Sequence, residues 1–422
     1  MLIAGLSLPD AAAGDRRGLS LNRAIRLCLA HPKILAGAEL VRQAQADART
    51  AALLPNPALT VEGGLLPLSR RYTEEEPGGP MELSAGISYP MDQLVFGKRA
   101  ASIASADAGV TAARAELADV IRLRVEQTAQ AFYGVLELEA LLKLATLGVD
   151  HLEQVAAATR TAVASGGRPQ VELGRVRLEL QAARREARLA RTAVLLQRSS
   201  LRAQLGESVP LDVVIDGTLD GPLAVEPLSV GAAVAAAQKN RPDILALRSK
   251  VLRARRDVVL ERRNALPQTS IGLGVAHQFQ RSIGAPDVTA WGVSVEVTLP
   301  LFDRNQGHRA RAASVATQGG HELKAALLDL HAEVEQAVQS LRTALQNARE
   351  MAQTDLKLAT QVRDSFRTAY AAGGRSLIET LDAQRNYHET YRAYTTGRAD
   401  YFRAVCRYKA ALGLVAGRKV IP

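Results

Sequence analysis

Tyr370-Ala-Ala-Gly-Gly-Arg-Ser-Leu-Ile-Glu-Thr-Leu-Asp-Ala383 lies between two long stretches of helical pattern. Gly373 and Gly374 supply the positive φ that ends a helix, Ser376 is placed to cap the next one, and Glu379 follows three residues later, where a capping box requires an acid. The stretch therefore predicts the tip of a helical hairpin. A second such turn occurs in Ala164-Ser-Gly-Gly-Arg-Pro-Gln-Val-Glu172, where Gly166 and Gly167 precede a Pro169 suited to the first turn of a helix.

Working outward from the two turns, the landmarks repeat in order. Leu228-Ser-Val opens a short helix as Leu19-Ser-Leu does, and Asn240-Arg-Pro242-Asp-Ile answers Ala30-His-Pro32-Lys-Ile. Pro267 follows Pro55 by 212 residues, Pro300 follows Pro90 and Gly307 follows Gly97 by 210, and Gly373 follows Gly166 and Gly413 follows Gly206 by 207. So narrow a spread of offsets marks an internal duplication.

Each copy reads as helix, helix, strand, strand, very long helix, long helix. The strands are betrayed by a period of two: Leu59, Val61, Gly63 and Leu65 alternate with Thr60, Glu62 and Gly64, and Leu83, Ala85, Ile87 and Tyr89 with Glu82, Ser84, Gly86 and Ser88. In the second copy Ile271, Leu273 and Val275, then Val293, Val295 and Val297, do the same. Such pairs fit a half-buried hairpin in a globular sheet or a piece of membrane barrel, whose signal is weak per segment.

After Gly97 no proline occurs until Pro169, and residues 98 to 164 amount to about 100 Å of helix. Gly148 is the expected bend. A run of similar length extends from 307 to 371. Beyond it, positions 387, 391, 394, 398, 401, 405, 408 and 412 are spaced by four and three, a heptad seam broken only by Arg398. The returning helix of the first copy carries an arginine stripe (Arg177, Arg184, Arg188, Arg191, Arg198 and Arg202) beside an acidic one (Glu172, Glu179 and Glu186). The stripes read as a solvated coiled-coil face or as a groove for a partner hairpin.

These patterns divide the chain into residues 1–18, a flexible N-terminus; 19–206, the first repeat (helices 19–54, strands 58–91, long helices 97–205); 207–227, a linker with room for one short strand; 228–413, the second repeat (helices 228–265, strands 268–301, long helices 305–412); and 414–422, a C-terminal tail. Leu2 to Leu8 followed by Ala11-Ala12-Ala13 has the apolar core and small-residue end of a secretory signal without its basic leading region, so a shortened signal peptide is expected.

Composition removes several function classes. A charge of +10 comes from basic residues spread along helices, and with aromatics at 4% there is little to stack on bases, so no nucleic-acid partner is expected. No apolar run is long enough for a transmembrane helix. Nucleotide-binding loops, nucleophile elbows and helix-face histidine pairs are missing, which argues against an enzyme and implies no cofactor. His321 and His331, with Glu333 and Glu335 nearby, read as solvated rather than metal-binding, and four scattered methionines suggest no copper relay. Cys28 and Cys406 are read as two small core residues, with a single disulfide between them left open in an oxidising compartment.

The order of elements, the duplication and the Gly-Gly hairpins resemble the TolC family of outer-membrane efflux channels over residues 19 to 415. Pro55-Asn-Pro57-Ala-Leu-Thr-Val-Glu62 and Phe96-Gly-Lys-Arg99 are most similar to its CzcC-like branch, which serves heavy-metal efflux pumps. The resemblance implies a mainly α protein with a small β part: a homotrimer in which duplicated helical hairpins form a periplasmic α-barrel and four strands per protomer join one twelve-stranded transmembrane β-barrel in the Gram-negative outer membrane. It implies as partners a periplasmic adaptor, an inner-membrane RND transporter and outer-membrane lipid, and as cargo heavy-metal cations. A multidrug or type I protein-secretion channel is the alternative within channels, and a soluble coiled-coil scaffold the one outside them.

By the same resemblance, Tyr370 and Arg375 match the aromatic and the arginine that tie the closed inner end of the tunnel, Glu172 matches an acidic partner, and Glu379 and Asp382 match the acidic ring of the constriction. Glu379 stands where the best-known member has an aspartate, and Val171 where it has a hydroxyl. Residues 375, 379 and 382 share one helix face by their spacing, and an ion pair of Arg375 with Glu379 within one chain is the plainer alternative.

Overall fold

The computed structural model describes residues 18–66, 68, 69, 73, 75, 76, 78–206, 214–372 and 374–414. The proposed signal remnant, Gly373, the start of the linker and nearly all of the C-terminal tail lie outside them.

The elements run α1 (Leu21–Cys28), α2 (Pro32–Ala52), β1 (Ala58–Gly64), β2 (Met81–Pro90), α3 (Asp92–Val95), α4 (Lys98–Ala164), α5 (Gln170–Leu205), α6 (Val230–Asn240), α7 (Pro242–Asn264), β3 (Gln268–Phe279), β4 (Val288–Thr298), α8 (Gln306–Glu350), a π-turn (Met351–Asp355), α9 (Leu356–Ala371) and α10 (Leu377–Ala411). The boundaries follow local chemistry. Ser20 caps α1 by accepting from Arg23 N–H, and Ser229 caps α6 by accepting from Ala232 N–H. Pro32 and Pro242 open α2 and α7, where a missing N–H costs nothing.

Three expectations change. Leu19 is not helical but forms a parallel bridge with Ile215, so the linker's short strand pairs with the start of the first repeat. Gly148 does not interrupt α4, which is continuous over 67 residues. A Cβ there would lie 2.7 Å from Cε1 of His388, so the glycine makes room for that ring. The long helix of the second copy, expected to run unbroken to the Gly-Gly turn, contains the π-turn. There one residue is absorbed without a proline or glycine to announce it.

Contacts group the described chain into two units. The first comprises residues up to 36, 118–241 and from 329 onward; the second comprises 37–117 and 242–328. Each draws on both repeats.

The first unit is built on a cluster that includes Leu19, Ile25, Cys28, Phe132, Val135, Leu201, Ile215 and Ala399. The seam of α10 meets the 214–228 segment through polar handles on an apolar stripe. Tyr401 and Tyr408 accept at their hydroxyls from Val225 N–H (2.9 Å) and Leu228 N–H (3.0 Å). Arg398, the one interruption of the heptad, is buried and donates to the carbonyls of Leu219 (2.6 Å) and Gly221. A charge at a seam position thus satisfies backbone that would otherwise be buried unpaired. Cys28 and Cys406 are free thiols, and burial pushes that of Cys406 up to about 12.

The second unit holds the sheet, antiparallel in the order β1-β2-β3-β4. Its register carries apolar rows straight across: Leu59, Ile87, Leu273 and Val293 in one, and Val61, Ala85, Val275 and Trp291 in another. Between them run rows of small or polar residues such as Thr60, Gly86, Gly274 and Gly292. One face is therefore mainly apolar, with Thr269, His277 and Thr289 its polar exceptions, yet Leu59 is 72% and Trp291 75% exposed. Among the described residues no helix is long and apolar enough to cross a membrane.

Gly413 ends the helical run at φ +73, and a Cβ on it would lie 2.7 to 2.8 Å from the backbone of Asn240 and Arg241. Gly413→Ala combines a left-handed strain with a clash against backbone, and should destabilise the protein by more than about 1 kcal/mol. A lowered midpoint in the circular-dichroism melt of the detergent-solubilised protein would show it, and an unchanged midpoint would refute it.

Candidate functional site

The hairpin tips are made by two sets of backbone bonds. In the first, Gly166 at φ +74 follows α4, its N–H donates to Val163 (3.0 Å), and Gly167 N–H reaches back to Ala162 (2.9 Å). In the second, Gly374 N–H reaches Ala369 (2.9 Å). These satisfy carbonyls that a helix end leaves without partners. Pro169 is the N-cap of α5, one position earlier than its sequence context suggests.

The capping box of α10 is complete. Ser376 Oγ accepts from Glu379 N–H (3.3 Å), and the Glu379 carboxylate accepts from Ser376 N–H (2.9 Å) and Oγ–H (3.0 Å). Arg375 adds an ion pair with Glu379 at 3.0 Å, and its guanidinium lies 5.2 Å from the Phe366 ring centroid. Those hydrogen bonds from Ser376, then Arg375, hold the Glu379 carboxyl below its usual 4.5.

The other tip carries the same pair. Arg168 meets Glu172 at 3.1 Å, four residues apart as in Arg375 and Glu379. Glu172 thus has Arg168 as its partner. The Arg168 guanidinium also lies 4.7 Å from the Tyr370 ring centroid, so it is this arginine that links the two tips through Tyr370. Arg168 is absent from the sequence-derived set, though Gly-Gly-Arg with glutamate four residues on, present twice, was a signal for it. Asp382 stands apart from both pairs, 3.6 Å from Arg385 and 58% exposed at its side chain.

Above the tips the acidic stripe of α5 is engaged. Glu179 pairs with Arg385 and Glu186 with Arg392, each at 2.7 Å, a seven-residue step on both helices. From the arginine stripe, Arg184 and Arg198 reach Glu153 and Glu139 of α4 at 2.6 Å. The charged faces therefore zip α5 to its neighbours. Farther up, an open cleft is lined by His151, Arg363, Tyr387, His388 and Tyr391. Arg363 stacks 3.9 Å from the Tyr387 centroid; burial, then Arg367 and Arg363, lower the His151 imidazole below its ordinary value, and burial lowers that of His388 against an opposing pull from Glu186. Among the described residues no group of three or more His, Cys, Asp or Glu could hold a metal ion.

Two hairpin tips from a duplicated helical frame, with a four-stranded sheet exposing an apolar face, find a direct counterpart among known proteins. The model of the family described as outer membrane efflux protein matches residues 26–207 and again 233–414. The chain belongs to the outer membrane efflux protein family. It is 26% identical over 400 residues to the cobalt-zinc-cadmium resistance protein CzcC of Cupriavidus metallidurans, covering 92% of this chain and 90% of that one. It is 24% identical over 336 residues to the pyoverdine export outer membrane protein OpmQ of Pseudomonas aeruginosa, covering 78% and 68%. Among solved structures it superposes on CusC with a TM-score of 0.77 at 19% identity, covering 96% of this chain and 95% of that one. On the Campylobacter jejuni CmeC outer membrane channel the values are 0.75 and 14%, covering 99% and 92%. The efflux family is one of outer-membrane channels with a periplasmic helical part, not of enzymes, which places this chain in the class its sequence resembles.

The depressed Glu379 carboxyl fixes the sign of a pH effect. Its contribution to the start of α10 is present above the unfolded value near 4.5 and is lost as pH falls through the lower folded value. Hydrogen exchange of the amides of residues 377–380, corrected for intrinsic rates, should be faster in Glu379→Ala than in wild type at pH 6, with the difference shrinking as the wild-type carboxylate is protonated in acid. Equal exchange at pH 6 would remove the carboxylate from the cap.

Proposed function

We propose that this chain is the outer-membrane channel of a tripartite efflux system that exports heavy-metal cations. In this reading it is a homotrimer, passive itself, joined through a periplasmic adaptor to an inner-membrane RND transporter. The observation that carries the trimeric barrel is the sheet. The outer edges of β1 and β4 have no partner among the described strands, and its mainly apolar face is exposed. Open strand edges are not tolerated in lipid, so the edges must be joined by other copies, and three copies of four strands make a twelve-stranded barrel.

The metal assignment is supported by the match to CzcC along nearly the whole chain. The relation to OpmQ supports a second reading, export of an organic molecule. Deletion of the gene separates them. Loss of tolerance to cobalt, zinc or cadmium is expected, and unchanged metal tolerance beside drug or siderophore-export defects would sink the metal reading.

The tip is proposed as the periplasmic gate, with Tyr370, Arg375, Glu379, Asp382 and Glu172 in it and the Gly166-Gly167 and Gly373-Gly374 turns at its end. Arg168 joins them through Tyr370. Threefold symmetry would collect Glu379 and Asp382 into six carboxylates around a narrow pore, which favours cations. Arg375→Ser and Glu379→Lys should each change single-channel conductance in planar bilayers, with Glu379→Lys lowering cation selectivity severalfold. Unaltered currents in both variants would take these residues out of the constriction.

A further inference from the structure

The helix-side ends of the four strands form a stepped row at one end of the sheet, because the register sets Ala58 beside Ser88, Pro90 beside Ser270 and Gln268 beside Thr298. Just outside this row the chain leaves large apolar residues uncovered: Leu53 and Leu54 before β1, Val95 after β2, and Leu299, Leu301 and Phe302 after β4, the last 91% exposed.

A set of cations comes next. Arg49 lies in the last turn of α2, Arg262 and Arg263 in the last turn of α7, Arg304 just before α8, and Arg309 and Arg311 near its start; all are exposed. None of these six forms an ion pair among the described residues. Of the neighbouring acids, Asp92 is neutralised by an ion pair with Lys98 at 2.8 Å. Glu261, Asp303 and Asp257 accept hydrogen bonds from neutral groups rather than from these arginines: Glu261 from the Asn305 side chain at 2.7 Å, Asp303 from Asn305 N–H at 2.8 Å, and Asp257 from the Ser105 hydroxyl. The segments therefore present apolar side chains next to the strands and unneutralised guanidinium groups a few residues farther away.

That sequence of chemistries, acyl-compatible then anion-seeking, is the profile of a bilayer surface. A free anion would not call for the exposed leucines and phenylalanine. A second copy of this chain would bring the same excess of guanidinium groups. We infer that this rim of the sheet docks on anionic phospholipid headgroups of the periplasmic leaflet, with Phe302 and its apolar neighbours at the acyl boundary and Arg262, Arg263, Arg304 and Arg309 on the phosphates. This rests on the reading of the sheet as part of a membrane barrel.

The test uses the full-length protein in vesicles of equimolar phosphatidylglycerol and phosphatidylcholine, with re-extraction in mild detergent and quantification of the lipids that stay bound. A cation near an anionic surface contributes about fivefold in binding, so phosphatidylglycerol should be retained at least fivefold over its bulk ratio. Replacing Arg262, Arg263, Arg304 and Arg309 together by Gln should return the ratio to bulk, while replacing the four by Lys should preserve the enrichment. Retention at the bulk ratio in wild type, or enrichment that survives the Gln replacement, overturns the proposal. Carbonate-resistant insertion, measured in the same vesicles, keeps the two readings apart. Insertion without headgroup preference removes only the lipid site, whereas failure to insert in any vesicle removes the barrel and the site with it.

Discussion

A helix as long as α4 must find an apolar partner along its whole length, because in proteins helical order is stabilised mostly by burial of one face rather than by propensity. Everything in the helical part answers that requirement. Alanines and glycines permit close approach, as Gly148 does for the His388 ring, and the α10 seam supplies a nearly continuous apolar stripe. Where the stripe is interrupted by Arg398, the charge is spent on carbonyls of the crossing segment, so the seam loses no closure. Heptad-spaced ion pairs between α5 and α10 add direction more than energy, since they are half-exposed and surface pairs contribute little. What they fix is which turn of one helix lies beside which turn of the other.

The sheet faces the opposite problem. Its backbone is satisfied only internally, and along its middle rows each strand turns apolar residues to one side and small or polar residues to the other. A slip of one residue in any pair would turn its apolar set to the other face, so the register is strongly specified. The glycine row through Gly86, Gly274 and Gly292 keeps the other face shallow. The same segment thus has two solvents, and its composition states which face belongs to which.

Much of this was legible in the sequence because it rests on period and punctuation. Alternation over Leu83 to Tyr89 cannot be a helix face, and a stretch without proline from Gly97 to Pro169 cannot be a string of short elements. Family and fold class followed from the order of those signals. What stayed hidden depended on partners far apart in the chain or on backbone changes that no residue announces. The bridge of Leu19 with Ile215 and the stacking of Arg168 on Tyr370 each join residues about two hundred positions apart. The π-turn falls in ordinary helix-compatible sequence, Met351 to Asp355. At the tip, the pairing of Arg375 with Glu379 was visible in their spacing, but that of Arg168 with Glu172 and its approach to Tyr370 were not. Both arginines keep their own glutamates, and the link between tips is a cation over a ring.

The π-turn has a consequence for the symmetry of the duplication. From Gly97 to Gly166 there are 69 steps along the chain, but from Gly307 to Gly373 only 66. On a regular helix three missing residues leave the second tip about 60° short of a whole turn. A π-turn takes up one residue without advancing the helix, so the effective difference becomes four, about 40° past a full turn of 3.6 residues. Four-residue shifts are those a coiled coil absorbs by slight unwinding, whereas three-residue shifts overwind it. The irregular turn near residue 353 thus works as a phase corrector. It makes the two copies differ by the step that a coiled coil takes up without overwinding.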